Sequence, residues 1–168
     1  GSGLVGSEMC IRDSFYAVRR LKEENEDFVL DLAGFFEDIY KKQVEELEQL
    51  GIAHFYGFQS DPRPFYTEAD CVVLPSYHEG MSNVLLEAAA TGRPVITSNI
   101  PGCRESVENG KSGLLVEVKN KEMLYQAMKK MLHCSREERE KMGKAGREKM
   151  KREFRKEAVV ERTVRSLE

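Results

Sequence analysis

The chain has 168 residues, 40% of them hydrophobic, which suits one domain with a buried core, or a domain plus a helical tail. Its net charge of -3, from 26 basic and 29 acidic side chains, excludes the basic footprint of a nucleic-acid binder. No apolar run approaches the roughly 20 residues that cross a bilayer, so contact with a membrane is expected to be peripheral at most.

Cys10, Cys71, Cys103 and Cys134 are widely spaced, and no secretory signal is visible. They are expected to be free thiols in a reducing, cytoplasmic compartment, with no zinc set among them and the three histidines. The first fourteen residues, GSGLVGSEMCIRDS, look foreign: GSG resembles a cloning scar and VGSEMCIRDS a translated sequencing-adapter read. The domain proper is therefore expected over residues 15–134, with amphipathic helices over 135–168.

FYAVRRLKEEN puts Phe15, Val18 and Leu21 at helical spacing. The apolar run 27–34 reads as a strand ended by Gly34. Residues 37–51 read as a helix with Ile39, Val44, Leu47 and Leu50 near one face and Gly51 as its stop. A strand follows at 52–57, then a short helix at 61–69 opened by Asp61 with Pro62 just inside. CVVLPS (71–76) is a buried strand, and 82–92 is a helix capped by Ser82 and stopped at Gly92. Strands at 94–98 and 113–118 flank a helical turn at 102–110, and 121–133 is a helix. Ser135 and Glu138 form a capping box. Beyond it, Met142, Ala145, Met150 and Phe154 supply one apolar stripe, and a break near Phe154 divides two helices. From Ser135 onward 12 basic and 8 acidic residues are interleaved, the pattern of a solvated helix face.

Helices alternating with short, near-continuous apolar strands predict an α/β fold: a doubly wound, Rossmann-like parallel sheet with helices on both faces, in three layers. Such folds bind ligands outside the carboxyl ends of their strands. Two carboxylates fall there, Glu79 in the loop after strand 71–76 and Glu87 in the following helix. The loop HEGMSN leads into that helix, so the amides from Gly80 through Val84 are expected to converge on one spot, where the helix N-terminus adds about +0.5 charge. Gly80 lets a ligand approach the backbone closely. A phosphate cradle beside two carboxylates suits a nucleotide sugar, since carboxylates accept hydrogen bonds from hydroxyls. On spacing alone the pair also reads as a surface loop residue, Glu79, and an ion-pair partner of Arg93, Glu87.

The longer pattern is more specific. The glutamate pair with seven residues between, the preceding LPS, the following EAAATGRPVI, the PGCRE turn and the return strand NGKSGLLV closely resemble family 4 retaining glycosyltransferases. These have the two-domain GT-B architecture, and the match, roughly residues 15–155, is to their carboxyl-terminal donor-binding domain. PGCRE with LLEAAATGRPVIT is similar to the members that build bacterial capsule, O-antigen and lipid-linked glycans. The resemblance implies transfer of a hexose or N-acetylhexosamine from a UDP-sugar, with no metal and no other cofactor. By the same resemblance Glu79 sits at the transferred sugar and is the catalytic candidate. Glu87 accepts hydrogen bonds from the ribose hydroxyls, and the backbone at Gly80, Met81, Ser82 and Asn83 holds the diphosphate and sugar. The strand end around Phe55, Tyr56 and Gly57 lies near the nucleobase. His78 and Cys103 are read as a solvent-facing loop residue and a packing residue, Arg93 and Arg104 as structural or surface pairs, and Tyr56, Tyr66 and Tyr77 as core or rim.

Two parts of the family pattern are missing: the amino-terminal acceptor domain, and the opening strand and loop of the donor domain, which carry an arginine and a lysine in a GR…KG setting. Residues 1–14 stand in that place, and the chain is expected to be inactive alone. GLVG is apolar enough to replace the strand; otherwise an exposed sheet edge invites a homodimer. Three other readings are a GT-B nucleotide-sugar epimerase fragment, a non-catalytic module binding a mononucleotide, and a domain that binds nothing.

Overall fold

The computed structural model describes residues 2–4, 8–35, 37–77, 80 and 82–154, with residues 2–4 and 8–10 described by their backbone. Six parallel strands are β1 (Ser2–Leu4), β2 (Leu30–Leu32), β3 (Ala53–Phe55), β4 (Val72–Leu74), β5 (Val95–Ser98) and β6 (Gly113–Val116). They form two hydrogen-bonded ladders, β1-β2-β3 and β4-β5-β6, in register Ser2 to Leu30, Leu30 to Ala53, Val72 to Val95 and Val95 to Gly113. Because β1 also lies beside β4, the strands run 3-2-1-4-5-6 across the molecule, a doubly wound order that reverses between β1 and β4.

The period of two along each strand sends alternate side chains to opposite faces. Cys71 and Val73 join the cluster built by Phe15, Val18 and Leu21 of α1 (Glu8–Glu23), Val44 and Leu47 of α2 (Lys41–Gln49), and Leu124, Met128 and Met131. The last three belong to α5 (Lys121–His133). Val72 and Leu74 face the other way, onto Tyr66 of α3 (Arg63–Glu68) and Leu85 and Ala88 of α4 (Asn83–Ala90). Outside α4 packs α6 (Arg136–Glu153), opened by the Ser135–Glu138 capping box. The result is three layers: α1, α2 and α5, then the sheet, then α3, α4 and α6.

Several expectations change in detail. Residues 38–40 form a 3-10 turn before α2, and the buried face is Tyr40, Val44 and Leu47, while Ile39 and Leu50 are 59% and 50% exposed. Tyr40 precedes Val44 by four residues and so shares its face; Ile39 is about 100° away. In α6 the buried positions are Gly143, Gly146, Lys149 and Met150, whereas Met142, Ala145 and Phe154 are only partly buried. α6 approaches α4 so closely that glycines, not a stripe of larger apolar residues, form the contact. The helix ends at Glu153 with Phe154 as its cap, and the second expected helix lies outside the described residues.

The segment set aside as foreign supplies β1 and the first turns of α1. Ser2–Leu4 takes the strand position that the family pattern leaves empty, so the open central edge that was the reason to expect a homodimer is absent; the sheet's outer strands are β3 and β6.

Candidate functional site

The strand order reverses between β1 and β4, and in doubly wound folds the carboxyl end of the sheet at such a reversal is where ligands bind. The chain leaves β4 through Pro75, Ser76 and Tyr77, and the buried Thr97 hydroxyl donates to Leu74 O at 2.8 Å, tying the ends of β4 and β5. Tyr77 donates to the Asp13 carboxylate, joining the loop after β4 to α1. His78, Glu79 and Met81 lie outside the described residues, so the expected catalytic Glu79 and the Met81 amide are without a described position.

α4 starts as predicted. Ser82 Oγ accepts the Leu85 N–H at 3.4 Å, and its backbone is extended. Ser82 is buried, and its own N–H donates to Gly102 O at 3.2 Å. This corrects the expectation for that amide: Ser82 fixes the turn and binds the loop after β5, and its N–H is not available to a ligand. The amides of Asn83 and Val84, in the first helical turn, have no intrahelical partner. Gly80 is exposed, and an added Cβ would meet nothing within 4 Å, as expected of a position facing open space. The Glu105 carboxylate of the PGCRE turn accepts the Gly102 N–H at 2.7 Å, which holds the loop against α4.

Glu87 is exposed, three residues after Val84. Its Oε2 accepts a hydrogen bond from Tyr66 at 3.2 Å. The alternative pairing with Arg93 is not formed: Arg93 donates to Thr67 O, and its Nε is buried without a partner. Among the described residues no salt bridge reaches Glu87. Burial pushes the Tyr66 phenol up, and the Glu87 charge and hydrogen bond add to the effect. The Asp61 carboxylate, then the Glu87 charge, push Arg63 up.

An apolar cleft of about 350 Å3 opens beside this pair, walled by Phe35, Phe58, Phe65, Tyr66, Val72 and Val84. Phe35 and Phe58 stack at its mouth, 5.2 Å between centroids and 12° between planes, though 80% and 63% exposed. Glu87 does not line this cleft itself; it lines a second one of about 470 Å3 with Arg147, Lys151 and Phe154. Tyr56 and Gly57 do not line the apolar cleft. Tyr56 packs edge-on against Phe65 at 5.0 Å, and Gly57, at φ +67, turns the chain so that Phe58 enters the wall. Phe35 and Phe58 were missed by the sequence reading, although each directly follows a glycine at a strand's carboxyl end. Cys103 is buried in the core on the α4 side, and Arg104 is exposed without an ion pair among the described residues. Among the described residues no cluster of His, Cys, Asp and Glu forms a metal site, and no helix is long and apolar enough to cross a membrane.

The model of the family described as glycosyl transferases group 1 matches residues 11–149. The chain belongs to that family. It is 30% identical over 124 residues to the lipopolysaccharide core biosynthesis glycosyltransferase LpsE of Rhizobium meliloti, covering 74% of this chain and 36% of that protein. It is 33% identical to the capsular polysaccharide biosynthesis glycosyltransferase CapM of Staphylococcus aureus, covering 61% of this chain and 27% of that protein. The chain thus spans about a third or less of these curated relatives. Among solved structures, the C-terminal domain of the group 1 glycosyl transferase LpcC from Francisella tularensis superposes with a TM-score of 0.78 at 22% identity, over 93% of this chain and 86% of that one. Anabaena HepE in complex with UDP superposes with a TM-score of 0.76 at 19% identity, over 99% of this chain and 48% of that one. At these identities the superpositions establish the fold, a Rossmann-like parallel α/β domain.

Proposed function

We propose that the chain is the donor-binding half of a retaining glycosyltransferase that moves a hexose or N-acetylhexosamine from a UDP-sugar to a glycan or lipid-linked acceptor in the cytoplasm. The observation that carries the reading is the Glu87 carboxylate: exposed, in no salt bridge among the described residues, and bonded to Tyr66 of the aromatic cleft. An unneutralised carboxylate there is suited to hydroxyl donors, and each such charge-assisted bond contributes about 1.5–3 kcal/mol. The ribose is assigned to Glu87, the base to the cleft behind Phe35 and Phe58, and the diphosphate to the amides of Asn83 and Val84 with Gly80. UDP in the HepE neighbour supports a nucleotide ligand at this fold.

Glu79 is assigned to the transferred sugar. Attack on the same face as the departing diphosphate retains configuration, with the diphosphate accepting the acceptor's proton. Helix-terminal amides stabilise the leaving group, with no metal assigned to the site. Transfer needs both reactants in near-attack geometry. The chain spans about a third or less of these relatives, and the reading expects this stretch to bind donor without turnover by itself.

The test is a ligand-observed NMR titration of UDP, UDP-N-acetylglucosamine and flavin mononucleotide against the chain and its Glu87→Ala variant. The reading expects both uridine ligands to bind the parent, Glu87→Ala to weaken them, and the flavin to be ignored. A folded parent that binds none of them at millimolar concentration, or binds flavin equally well, overturns it.

A further inference from the structure

Tyr66 belongs to two environments. Its ring is 5% exposed, packed in the core on the α4 side and forming part of the cleft wall, while its hydroxyl reaches Glu87 Oε2 at 3.2 Å. For core packing alone a phenylalanine would serve. The hydroxyl's one described bond is to a carboxylate that solvent would otherwise satisfy, so the bond adds direction to Glu87 more than it rescues a buried group.

An exposed glutamate on a helix samples several rotamers, and a donor fixed in the core selects among them. Tyr66 is the only hydrogen-bond partner of the Glu87 carboxylate among the described residues, and the bond engages one oxygen, leaving the other open. Arg93 does not compete for it, since it donates to Thr67 O, and no salt bridge reaches Glu87 among the described residues. Burial keeps the phenol protonated, so it stays a donor at neutral pH.

We infer that Tyr66 is a positioning residue: its hydroxyl holds Oε2 of Glu87 so that the free oxygen faces the vicinal hydroxyls of a nucleotide ribose. The inference rests on the assignment of Glu87 to the ribose. It predicts that the Tyr66 hydroxyl sets selectivity for hydroxylated over deoxygenated sugar through Glu87, without contacting the ribose itself.

Calorimetric titration of the full chain with UDP and with 2′,3′-dideoxyuridine 5′-diphosphate tests it, using the parent, Tyr66→Phe, Glu87→Ala and the double variant. Tyr66→Phe is expected to melt with the parent, to weaken UDP about threefold to tenfold, and to leave the dideoxy ligand unchanged. In the Glu87→Ala background the tyrosine change is expected to add nothing. Equal weakening of both ligands by Tyr66→Phe would mean the residue only shapes the cleft, and overturns the inference. Unchanged affinities in Tyr66→Phe overturn it too, while the donor-site reading stands. A parent that binds neither diphosphate removes both.

Discussion

Replacing Gly143 by alanine tests the close approach of α6 to the turn that follows α4. An added Cβ would sit 1.9 Å from Gly92 O and 2.7 Å from its carbonyl carbon. Ordinary contact needs about 3.5 Å, so α6 and the Gly92 turn would have to part by roughly 1.5 Å. Neither side yields easily: both groups are backbone, and Gly92 already holds φ +81 at the end of α4. Overpacking of this kind costs about 1–3 kcal/mol, and two rigid backbones put it at or beyond the upper end. Alanine returns about 1 kcal/mol through helix propensity. The net loss is about 2 kcal/mol, a fall in Tm of roughly 4–8 °C for a chain of this size. Gly146→Ala is the internal control, because its Cβ would meet Ser112 Cβ at 3.5 Å and Ala89 Cβ at 3.8 Å, ordinary distances. It is expected to keep the propensity gain and melt at or slightly above the parent. Thermal denaturation followed by circular dichroism reads both. A Gly143→Ala chain as stable as the parent would refute the close-packing argument, and an equal fall in both variants would refute its assignment to Gly92.

Two further outcomes are expected. The Lys129 ammonium, donating at 2.6 Å, and then the Tyr125 hydroxyl hold the Glu24 carboxyl below its ordinary 4.5. A lowered folded-state pKa stabilises above the ordinary carboxylate range and is lost as pH falls through the lowered value. Glu24→Gln should therefore shrink the drop in Tm between pH 6 and pH 3, and an unchanged acid sensitivity would count against the clasp between α1 and α5. Burial pushes the Cys71 thiol up to about 12, and Cys103 is also buried, so in a Cys10→Ser background a thiol reagent at pH 8 should label Cys134 first. Labelling of Cys71 as fast as in the unfolded chain would refute that burial.

The elements with local signals were legible. Ser82 and Gly92 bracket α4, Ser135 and Glu138 open α6, and the unbroken apolar run CVVL gives a strand buried on both faces. What failed was set by tertiary contact. Residues 1–14 were set aside as foreign, yet Ser2–Leu4 is the strand between β2 and β4, the place for which GLVG was read as apolar enough. The α6 face was misread because hydrophobic periodicity counts side chains, whereas the contact with Gly92 depends on having none. At the site, helix, cap and carboxylate were readable from spacing and family pattern, and the engaged Ser82 amide was not, because its partner Gly102 is twenty residues away. The Phe35–Phe58 stack joins loops after two different strands and has no signature within either.

The two ladders meet at β1 and β4 without being one ladder, and this gives the molecule a seam. Among the described residues no ladder hydrogen bond joins β1 to β4; what resists parting is the core shared by both ladders, the packing of α1 on α5 and the Tyr77–Asp13 bond. Amide exchange should follow this division, with β2 and β3 opening as one unit and β5 and β6 as another. The crevice that receives ligands in this topology lies along the same line, so a molecule held on both banks would act as a staple. Its binding energy would appear as slower exchange in both ladders at once, including amides far from any atom it touches.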